Sequence, residues 1–467
     1  MQLRVIVDNM TLPTPESLRE LSRDELIALV IQLAERLERL EAELVDRKKP
    51  PPTSRNSSQP PSRDQKTNPP ALKRRRHHGA QAGHSKIERA LVEKPDKIID
   101  VRPSACEQCG QDLSAVAPSH TVRRQLTELP EIKPVVIETQ QHELICPDCG
   151  TAQRAALPVG LEAGRHFGPR LEATVIYLQH QQHLSYERSQ AALGDLFGVE
   201  ISEGGQACIV ERAGAAAAPL AEALRDEIRQ GAVVHSDETS ARVNGHNWWE
   251  WVFRSGTAVL HVMRPSRGRD VIPEVMGAHR VGTWVCDCWA PQLQAPADRF
   301  QLCLAHQIRN LQGLIERCPN LHWAREIQTL FQEAIHLGKR RDKLRPRGFG
   351  RRVTQIEQHL DQLLARPVKT PAAQALFKRY RKHRQHLLVF LYDPTVPHHN
   401  NDAERALRPS VVHRKVTGGF RSTWGPHAYA ALASLIDSAK LRGQSVFGTL
   451  VGLMGSPVLP YLTAPGA

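Results

Sequence analysis

The chain has 467 residues, of which 40% are hydrophobic, and it carries a formal net charge of +13. It is too long for one hydrophobic core, and a prior of about 150 residues per domain predicts roughly three domains. It contains no apolar run of about 18 residues and no signal-peptide layout, so we expect no membrane span and a cytoplasmic location. Nine cysteines, four of them in two C-x-x-C pairs, suit a reducing compartment and a metal site.

The positive charge is concentrated in two blocks. Ten Lys or Arg residues against one acid lie in 47–76, and eight against one acid lie in 339–352. Neither block is an apolar amphipathic helix, so nucleic acid is favoured over a membrane as the polyanionic partner. A solvated charge run that only aids solubility is the alternative. The candidate DNA contacts are Lys73, Arg74, Arg75, Arg76, Lys339, Arg340 and Arg341.

A coiled-coil helix is predicted within the N-terminal segment 1–46. Ser22 and Glu25 match a capping box, and apolar residues follow at alternating spacings of four and three. This heptad seam predicts a homo-oligomer, and packing of the helix on its own protein is the alternative. The seam residues are Leu26, Val30, Leu33, Leu37, Leu40 and Leu44.

Residues 47–85 are rich in Pro, Ser, Asn and charge, which predicts a disordered basic linker. A zinc-binding module is predicted over 86–157, because this segment contains CEQCG and CPDCG. Two C-x-x-C-Gly turns can surround one tetrahedral Zn²⁺ with four thiolates, and such a closed site is structural. Two pairs of buried thiols are the alternative. The four ligands would be Cys106, Cys109, Cys146 and Cys149.

A helical segment is predicted over 158–230. LSYERSQAALGDLFG and SEGGQACIVERAGAAAA flank a short turn, and Ser202 is a suitable N-cap for the second helix. Two helices joined by a tight turn are either a helix-turn-helix that reads DNA or an ordinary helical hairpin.

From residue 231 the periodicity changes to strand, strand, strand, helix, strand. Asp237 in HSDET and Asp287 in VCDCW are predicted at the ends of the first and fourth strands. FQLCLAHQIRNLQGLIERC then reads as a strand that leads into a helix. This α/β pattern over 231–440, with a helical insertion at about 311–391, precedes a C-terminal tail over 441–467, in which residues 443–467 carry no charge.

The segment VPHHNNDAERALRP contains two His, two Asn, an Asp and a Glu. In one interpretation Asn401 is the N-cap of a helix and Glu404 completes a capping box. In the other, Glu404 joins Asp237 and Asp287 as a third carboxylate, because two or three carboxylates are needed to hold the pair of Mg²⁺ ions that helps to cleave a phosphodiester.

These motifs together resemble the transposases of the insertion sequence 66 family, which carry an Asp-Asp-Glu active site. The resemblance runs from about 20 to 450 and rests on SRNSSQPPSRD, GAQAGH, the two C-x-x-C-G pairs, HSDET, VCDCW, CLAHQIRNL and HHNNDAERALRPSVVHRK. It implies a ribonuclease-H-like core in which Asp237, Asp287 and Glu404 are catalytic and bind Mg²⁺ or Mn²⁺. Similar proteins also keep a C-x-x-H pair, here Cys303 and His306, followed by Arg309.

The resemblance implies a bacterial DNA transposase that frees the 3′-OH of each element end and joins it to target DNA. Its partners would be double-stranded DNA, further copies of itself and accessory proteins of the same element. His306 and Arg309 would be auxiliary groups near the phosphate, and a buried core histidine is the alternative for His306. His235, two residues before Asp237 and on the same strand face, has the same two interpretations. A catalytically inactive DNA-binding protein and a structure-specific nuclease are the rival functions. Cys288 and Trp289 depart from the family pattern after the second Asp.

Overall fold

The computed structural model describes residues 22–47, 52–57, 89–157 and 164–455, with the side chains of 34 and 37–47 excepted. Contacts divide the chain into two units, one of residues 65–134 and one that combines 1–64 with 135–467. The basic residues Lys73, Arg74, Arg75 and Arg76 lie outside the described residues.

The regular elements fall mostly within the second unit. In chain order they are α1 (Arg23–Arg47), β1 (Glu143–Ile145), β2 (Ala152–Arg154), α2 (Pro169–Ile176), α3 (Tyr186–Phe197), α4 (Glu203–Arg229), β3 (Val233–Val243), β4 (His246–Arg254), β5 (Val259–Arg264), α5 (Val271–Met276), β6 (Val281–Cys286), β7 (Ala297–Leu302), α6 (Leu304–Arg317), α7 (His322–Lys339), α8 (Pro346–Ala365), α9 (Pro371–Lys382), α10 (Asn401–Thr417), α11 (Gly425–Leu441) and α12 (Val446–Leu453).

A mixed five-stranded sheet has the order β5-β4-β3-β6-β7. β3, β4 and β5 are antiparallel neighbours, whereas β6 is parallel to β3 and β7 is parallel to β6. Asn244 and Gly245, both at positive φ, form the tight turn between β3 and β4, as an Asn-Gly hairpin requires. The predicted order of three strands, a helix and a strand is confirmed.

The two faces of the sheet pack against different helices. Val252 and Val259 contact Ala403 and Leu407, so α10 covers one face. The side chains that alternate with these valines along the strands, such as Trp251, lie on the other face of the sheet. They belong to the main hydrophobic cluster, which also contains residues of α2 and α4. α4 packs closely against α11, where an added Cβ at Gly214 would collide with Ala428. The described part of the predicted helical segment, residues 164–230, therefore shares a core with the sheet.

Helices α6 to α9 fill the interval between β7 and α10. Their packing centres on aromatic side chains: the ring of Trp323 lies 5.7 Å from that of Phe377, and Phe331 lies 5.6 Å from Tyr380. Because all four rings are buried, this helical insertion has its own apolar interior. No helix within the described ranges is long and apolar enough to cross a membrane.

The described N-terminal segments contact the rest of their unit at two places, α9 and α6. The predicted capping box is confirmed: Ser22 N donates to Glu25 Oε2 at 2.8 Å, and Glu25 N donates to Ser22 Oγ at 3.3 Å. α1 contacts α9, yet Val30 and Leu33 remain 64% and 44% exposed. Inside the predicted disordered linker, residues 53–57 form a turn whose Asn56 donates to Glu316 of α6 at 2.5 Å.

Ser202 caps α4, as predicted, by accepting a hydrogen bond from Gly205 N at 3.1 Å. α3 ends at Gly198, whose φ of +63° is the left-handed conformation typical of a helix C-terminus. α4 buries apolar residues along its whole length, from Ile209 to Ile228. Its packing on the sheet favours the helical hairpin over a helix that is free to enter a DNA groove.

Candidate active site

Asp237 lies in the middle of β3, which corrects the prediction that it ends the strand. β3 pairs with β6 only as far as His235, whereas its pairing with β4 continues to Val243. The hairpin partner therefore prolongs the strand beyond the acid. Asp237 is directly opposite Val252, whose side chain contacts Ala403. Because opposite residues share a face, Asp237 projects toward α10.

Asp287 follows β6 immediately, as predicted. Its Oδ1 accepts a hydrogen bond from Trp289 N at 2.9 Å. The Trp289 ring packs 5.7 Å from that of Trp251 and also lies under the guanidinium of Arg267, at 4.3 Å. The residues after Asp287 thus form an ordered loop despite their departure from the family pattern.

Glu404 is in the first turn of α10, but it does not close a capping box. The helix begins at Asn401, its N-cap is Asn400, and no side chain makes a capping hydrogen bond. The interpretation of Asn401 as N-cap with Glu404 folded back onto it is therefore wrong. Instead, Glu404 Oε1 lies 3.6 Å from His306 Nδ1 and 3.7 Å from a terminal nitrogen of Arg309.

The acids around Asp237 affect its protonation. Burial raises the pKa of Asp237 well above its usual range, and the charges of Glu238, Asp287 and Glu404 raise it further. Asp287 follows the strand beside β3 and Glu404 lies on the helix that Asp237 faces, although both are distant from Asp237 in sequence. Within the described residues, Asp237, Asp287 and Glu404 are not a group whose ligand oxygens all lie within 4.8 Å of one another.

His306 and Arg309 both lie on α6 and face Glu404. Burial and the charge of Arg309 lower the pKa of His306, while Glu404 and Asp287 oppose this shift. Arg309 Nε also donates to Ala305 O at 3.3 Å. The site thus contains a neutral imidazole and one permanent cation next to three carboxylates. Both predicted auxiliary residues are brought to the third carboxylate.

Asn400 links three elements of the site, and sequence reasoning missed it. Its side-chain Nδ2 donates to Ser236 O of β3 at 2.8 Å, and its Oδ1 lies 3.3 Å from His235 Nδ1. Its backbone N donates to Cys303 Sγ at 3.2 Å. Asn400 is 1% exposed, and burial lowers the pKa of His235 to about 4. His235 is thus a neutral partner of Asn400, and the Asn-Asn pair before the acids was the available signal.

A second polar network lies on the opposite face of β3. Glu238 accepts from Gln292 Nε2 at 2.7 Å and from Arg267 at 2.6 Å. Ser236 Oγ donates to Gln292 Oε1 at 2.6 Å and accepts from Trp284 Nε1 at 2.9 Å. Adjacent residues of a strand project to opposite faces of the sheet, so Glu238 points away from the face that carries Asp237. The carboxylate of Glu238 binds Arg267 and Gln292 instead.

The two cysteine pairs form turns of the same kind. Gly110 N donates to Cys106 O and Gly150 N donates to Cys146 O, both at 2.9 Å, and both glycines have positive φ. Hydrogen bonds from the backbone N–H groups of Cys109 and Gln108 lower the pKa of Cys106. Cys106 and Cys109 belong to one unit, and Cys146 and Cys149 to the other. Each turn thus contains two free cysteines.

The described residues of the second basic block differ in their contacts. Lys339 and Arg340 are exposed at the end of α7. Arg341 donates to Phe390 O at 2.9 Å, and its guanidinium lies 4.8 Å from the centre of the Phe349 ring. The guanidinium of Arg341 therefore makes contacts within the protein, whereas Lys339 and Arg340 face solvent.

Comparison with known proteins gives two family matches and one curated relative. Residues 10–90 match a family of unknown function, DUF6444. An uncharacterized protein, y4jO, of Sinorhizobium fredii (strain NBRC 101917 / NGR234) is 28% identical over 176 residues, which cover 34% of this chain and 50% of the relative. The chain thus spans about half the length of this relative. Residues 164–428, more than half of the chain, match the model of the IS66 transposase family. The protein therefore belongs to the IS66 family of transposases.

Proposed function

We propose that the protein is a DNA transposase with a ribonuclease-H-like core whose catalytic carboxylates are Asp237, Asp287 and Glu404. The observation that carries this proposal is the placement of the acids: Asp237 faces α10, whose first turn contains Glu404, and Asp287 follows β6, the strand beside β3. The sheet supports the core assignment, because three antiparallel strands are followed by two parallel ones, with Asp237 on the central strand.

The donor set suits Mg²⁺ or Mn²⁺. Carboxylate oxygens are hard ligands, and their repulsion inside a half-buried site is relieved by a cation. Two or three carboxylates suit a pair of such ions that act on one phosphate. Asp237, Asp287 and Glu404 would hold them. When bound, such a pair activates the attacking oxygen and stabilises the leaving oxygen of an in-line displacement.

The remaining side chains of the site orient the reaction. In the first step water attacks a phosphodiester at the element end, and the bond to the 3′ oxygen breaks, which leaves a 3′-OH and a 5′-phosphate. In the second step this 3′-OH attacks a target phosphodiester and displaces a new 3′-OH. Arg309 would pair with a phosphate oxygen, and neutral His306 would hydrogen bond beside it. Asn400 holds the start of α10, and hence Glu404, against β3.

The chain outside the core supplies further proposals. We infer from the two C-x-x-C-Gly motifs of the sequence that the chain binds one structural Zn²⁺, and loss of bound zinc in Cys106→Ser protein tests this inference. We also infer that α1 forms a coiled coil between copies, since the exposed Val30 and Leu33 continue its heptad seam. Sedimentation of Leu33→Lys protein toward monomer tests this. We also propose that the protein binds double-stranded DNA, works with accessory proteins of the same element and is located in the cytoplasm.

Substitution of Glu404 tests the catalytic proposal. Glu404→Gln keeps the volume and removes the charge, so Mg²⁺-dependent cleavage and strand transfer should fall by at least about 100-fold while DNA binding persists. The assay uses a labelled oligonucleotide that carries the end of the element.

Asp402→Asn is the matched control, because Asp402 lies in the same helical turn but pairs with Arg254 at 2.9 Å. Its activity should remain within a few-fold of the wild type. Near-normal cleavage by Glu404→Gln protein would contradict the assignment. DNA binding without cleavage by the wild type would favour the inactive, repurposed transposase.

A further inference from the structure

The thiol of Cys303 lies at the N-terminus of α6. Cys303 precedes this helix and is fully buried, and its Sγ accepts a hydrogen bond from Asn400 N at 3.2 Å. The free N–H groups at a helix N-terminus are an environment that stabilises negative charge on a nearby atom.

Two further polar atoms beside this sulfur have no hydrogen-bond partner. His306 Nδ1 and Glu404 Oε1 are both buried, and both lack such a partner among the described residues. They lie 3.6 Å apart, which is too long for a hydrogen bond. Two ligands about 2.0–2.1 Å from one tetrahedral ion are separated by roughly 3.3 Å, close to this distance. The candidate ligand atoms of Cys303, His306 and Glu404 all lie within 4.8 Å of one another.

We propose that Cys303, His306 and Glu404 form a binding site for a borderline-soft transition metal such as Zn²⁺. A thiolate, an imidazole and a carboxylate favour Zn²⁺ over Mg²⁺, which prefers an all-oxygen octahedral shell. Three protein ligands leave a fourth position for water or a phosphate oxygen. Arg309 faces the same oxygen of Glu404 at 3.7 Å, so binding requires that its guanidinium turn away.

Glu404 would belong to both metal sites, and this predicts regulation by zinc. When Glu404 binds Zn²⁺ beside Cys303, one carboxylate is withdrawn from the cluster that it forms with Asp237 and Asp287. Zn²⁺ should therefore inhibit Mg²⁺-dependent cleavage, and a chelator selective for Zn²⁺ should restore it. Inhibition rests on the proposed catalytic function, whereas metal binding at Cys303 does not.

Cobalt provides a direct readout of metal binding, because thiolate ligation produces a sulfur-to-cobalt charge-transfer band. The full chain with Cys106→Ser and Cys146→Ser, which disable the other cysteine turns, is titrated with Co²⁺. We expect one equivalent to bind with this band. Addition of Cys303→Ser should abolish the band. The control is Cys318→Ser, because Cys318 is a half-buried cysteine at the end of α6, and this substitution should leave the band unchanged. A band that survives Cys303→Ser would overturn the proposal.

A second variant covers the case in which Cys303→Ser fails to fold. His306→Gln should retain the band but weaken Co²⁺ binding by roughly tenfold or more, at least the effect of losing an outer-shell partner. Unchanged affinity would overturn the proposal. For activity, zinc inhibition is expressed relative to each variant's own rate with Mg²⁺, and it should be lost in Cys303→Ser protein. A wild type that binds Co²⁺ through Cys303 but never cleaves DNA would refute the proposed function and leave the metal site intact.

Discussion

A buried ion network behind the candidate active site connects the helix of Glu404 to the sheet. His261 of β5 lies 2.8 Å from Glu250 and 3.2 Å from Asp437, and Ser410 of α10 donates to the same Glu250 oxygen at 2.6 Å. Burial alone would lower the pKa of His261, but hydrogen bonds to Asp437 and Glu250, together with their charges, raise it to about 9. His261 is thus protonated in the folded protein at neutral pH.

The raised pKa of His261 predicts a loss of stability at alkaline pH. Its folded value of about 9 exceeds the ordinary value of 6.5, so the contribution is fully present below pH 6.5 and disappears as the pH rises through 9. The difference corresponds to at most about 3 kcal/mol in the free energy of unfolding. Denaturant unfolding of the wild type should show this decline between pH 6.5 and 9.

His261→Gln should be less stable at pH 6 and should lack this part of the decline. His246→Gln, at an exposed position of the neighbouring strand, is the control and should follow the wild type. If the wild type and His261→Gln lost stability in parallel above pH 6.5, the network would not be protonated as described.

At the scale of elements, the turn of residues 53–57 shows a long-range contact that composition conceals. Thr53 N donates to Asn56 Oδ1 at 2.7 Å, and Ser57 Oγ donates to Thr53 O at 2.6 Å, so the turn is closed by its own side chains. A Cβ added at Gly313 of α6 would lie 2.5 Å from Asn56 O. Only glycine at this position allows the turn to lie on the helix.

Gly313→Ala should therefore release the turn from α6. Alanine favours a helix by about 0.5–1 kcal/mol over glycine, but overpacking against a backbone carbonyl costs ~1–3 kcal/mol. Trypsin cleavage after the exposed Arg55 should accelerate by roughly tenfold. Gly350→Ala in α8 is the matched control, since its Cβ would meet no atom within 4 Å. Equal cleavage rates for the two variants would show that the turn does not depend on this contact.

The local parts of the fold could be predicted from the sequence, because they depend on neighbouring residues. The capping box at Ser22, the N-cap at Ser202 and the strands before Asp237 and Asp287 are of this kind. The boundary of β3 was wrong, because strand length depends on the partner strand. The role of Asn400 depends on contacts with Ser236 and Cys303, which are far away in sequence, and no local pattern specifies them.

At the scale of the whole molecule, the net charge of +13 is divided among cations with different surroundings. Many arginines are paired within the fold, such as Arg384 with Asp361 at 2.6 Å. Lys339 and Arg340 are exposed, whereas Arg341 is engaged with Phe349 and Phe390. A basic sequence block thus divides into residues available to a polyanion and residues that hold the insertion together. The printed sequence cannot make this distinction, since all three are consecutive.

Because these cations differ in their surroundings, substitutions at neighbouring positions should change different properties, DNA binding in one case and stability in the other. Each phosphate contact contributes about 0.9 to the slope of log affinity against log salt, so Lys339→Ala with Arg340→Ala should lower the slope by up to about 1.8 if both contact DNA. The thermal stability of this double variant should be unchanged, because exposed charges contribute little to the free energy of unfolding. Arg341→Ala should instead lower stability by about 1–2 kcal/mol through the lost hydrogen bond and ring contact, with little change in slope. Fluorescence anisotropy over a salt series and thermal unfolding measure both quantities. A slope that changes equally in both proteins would mean that the charge of the block, rather than the placement of its side chains, determines DNA binding.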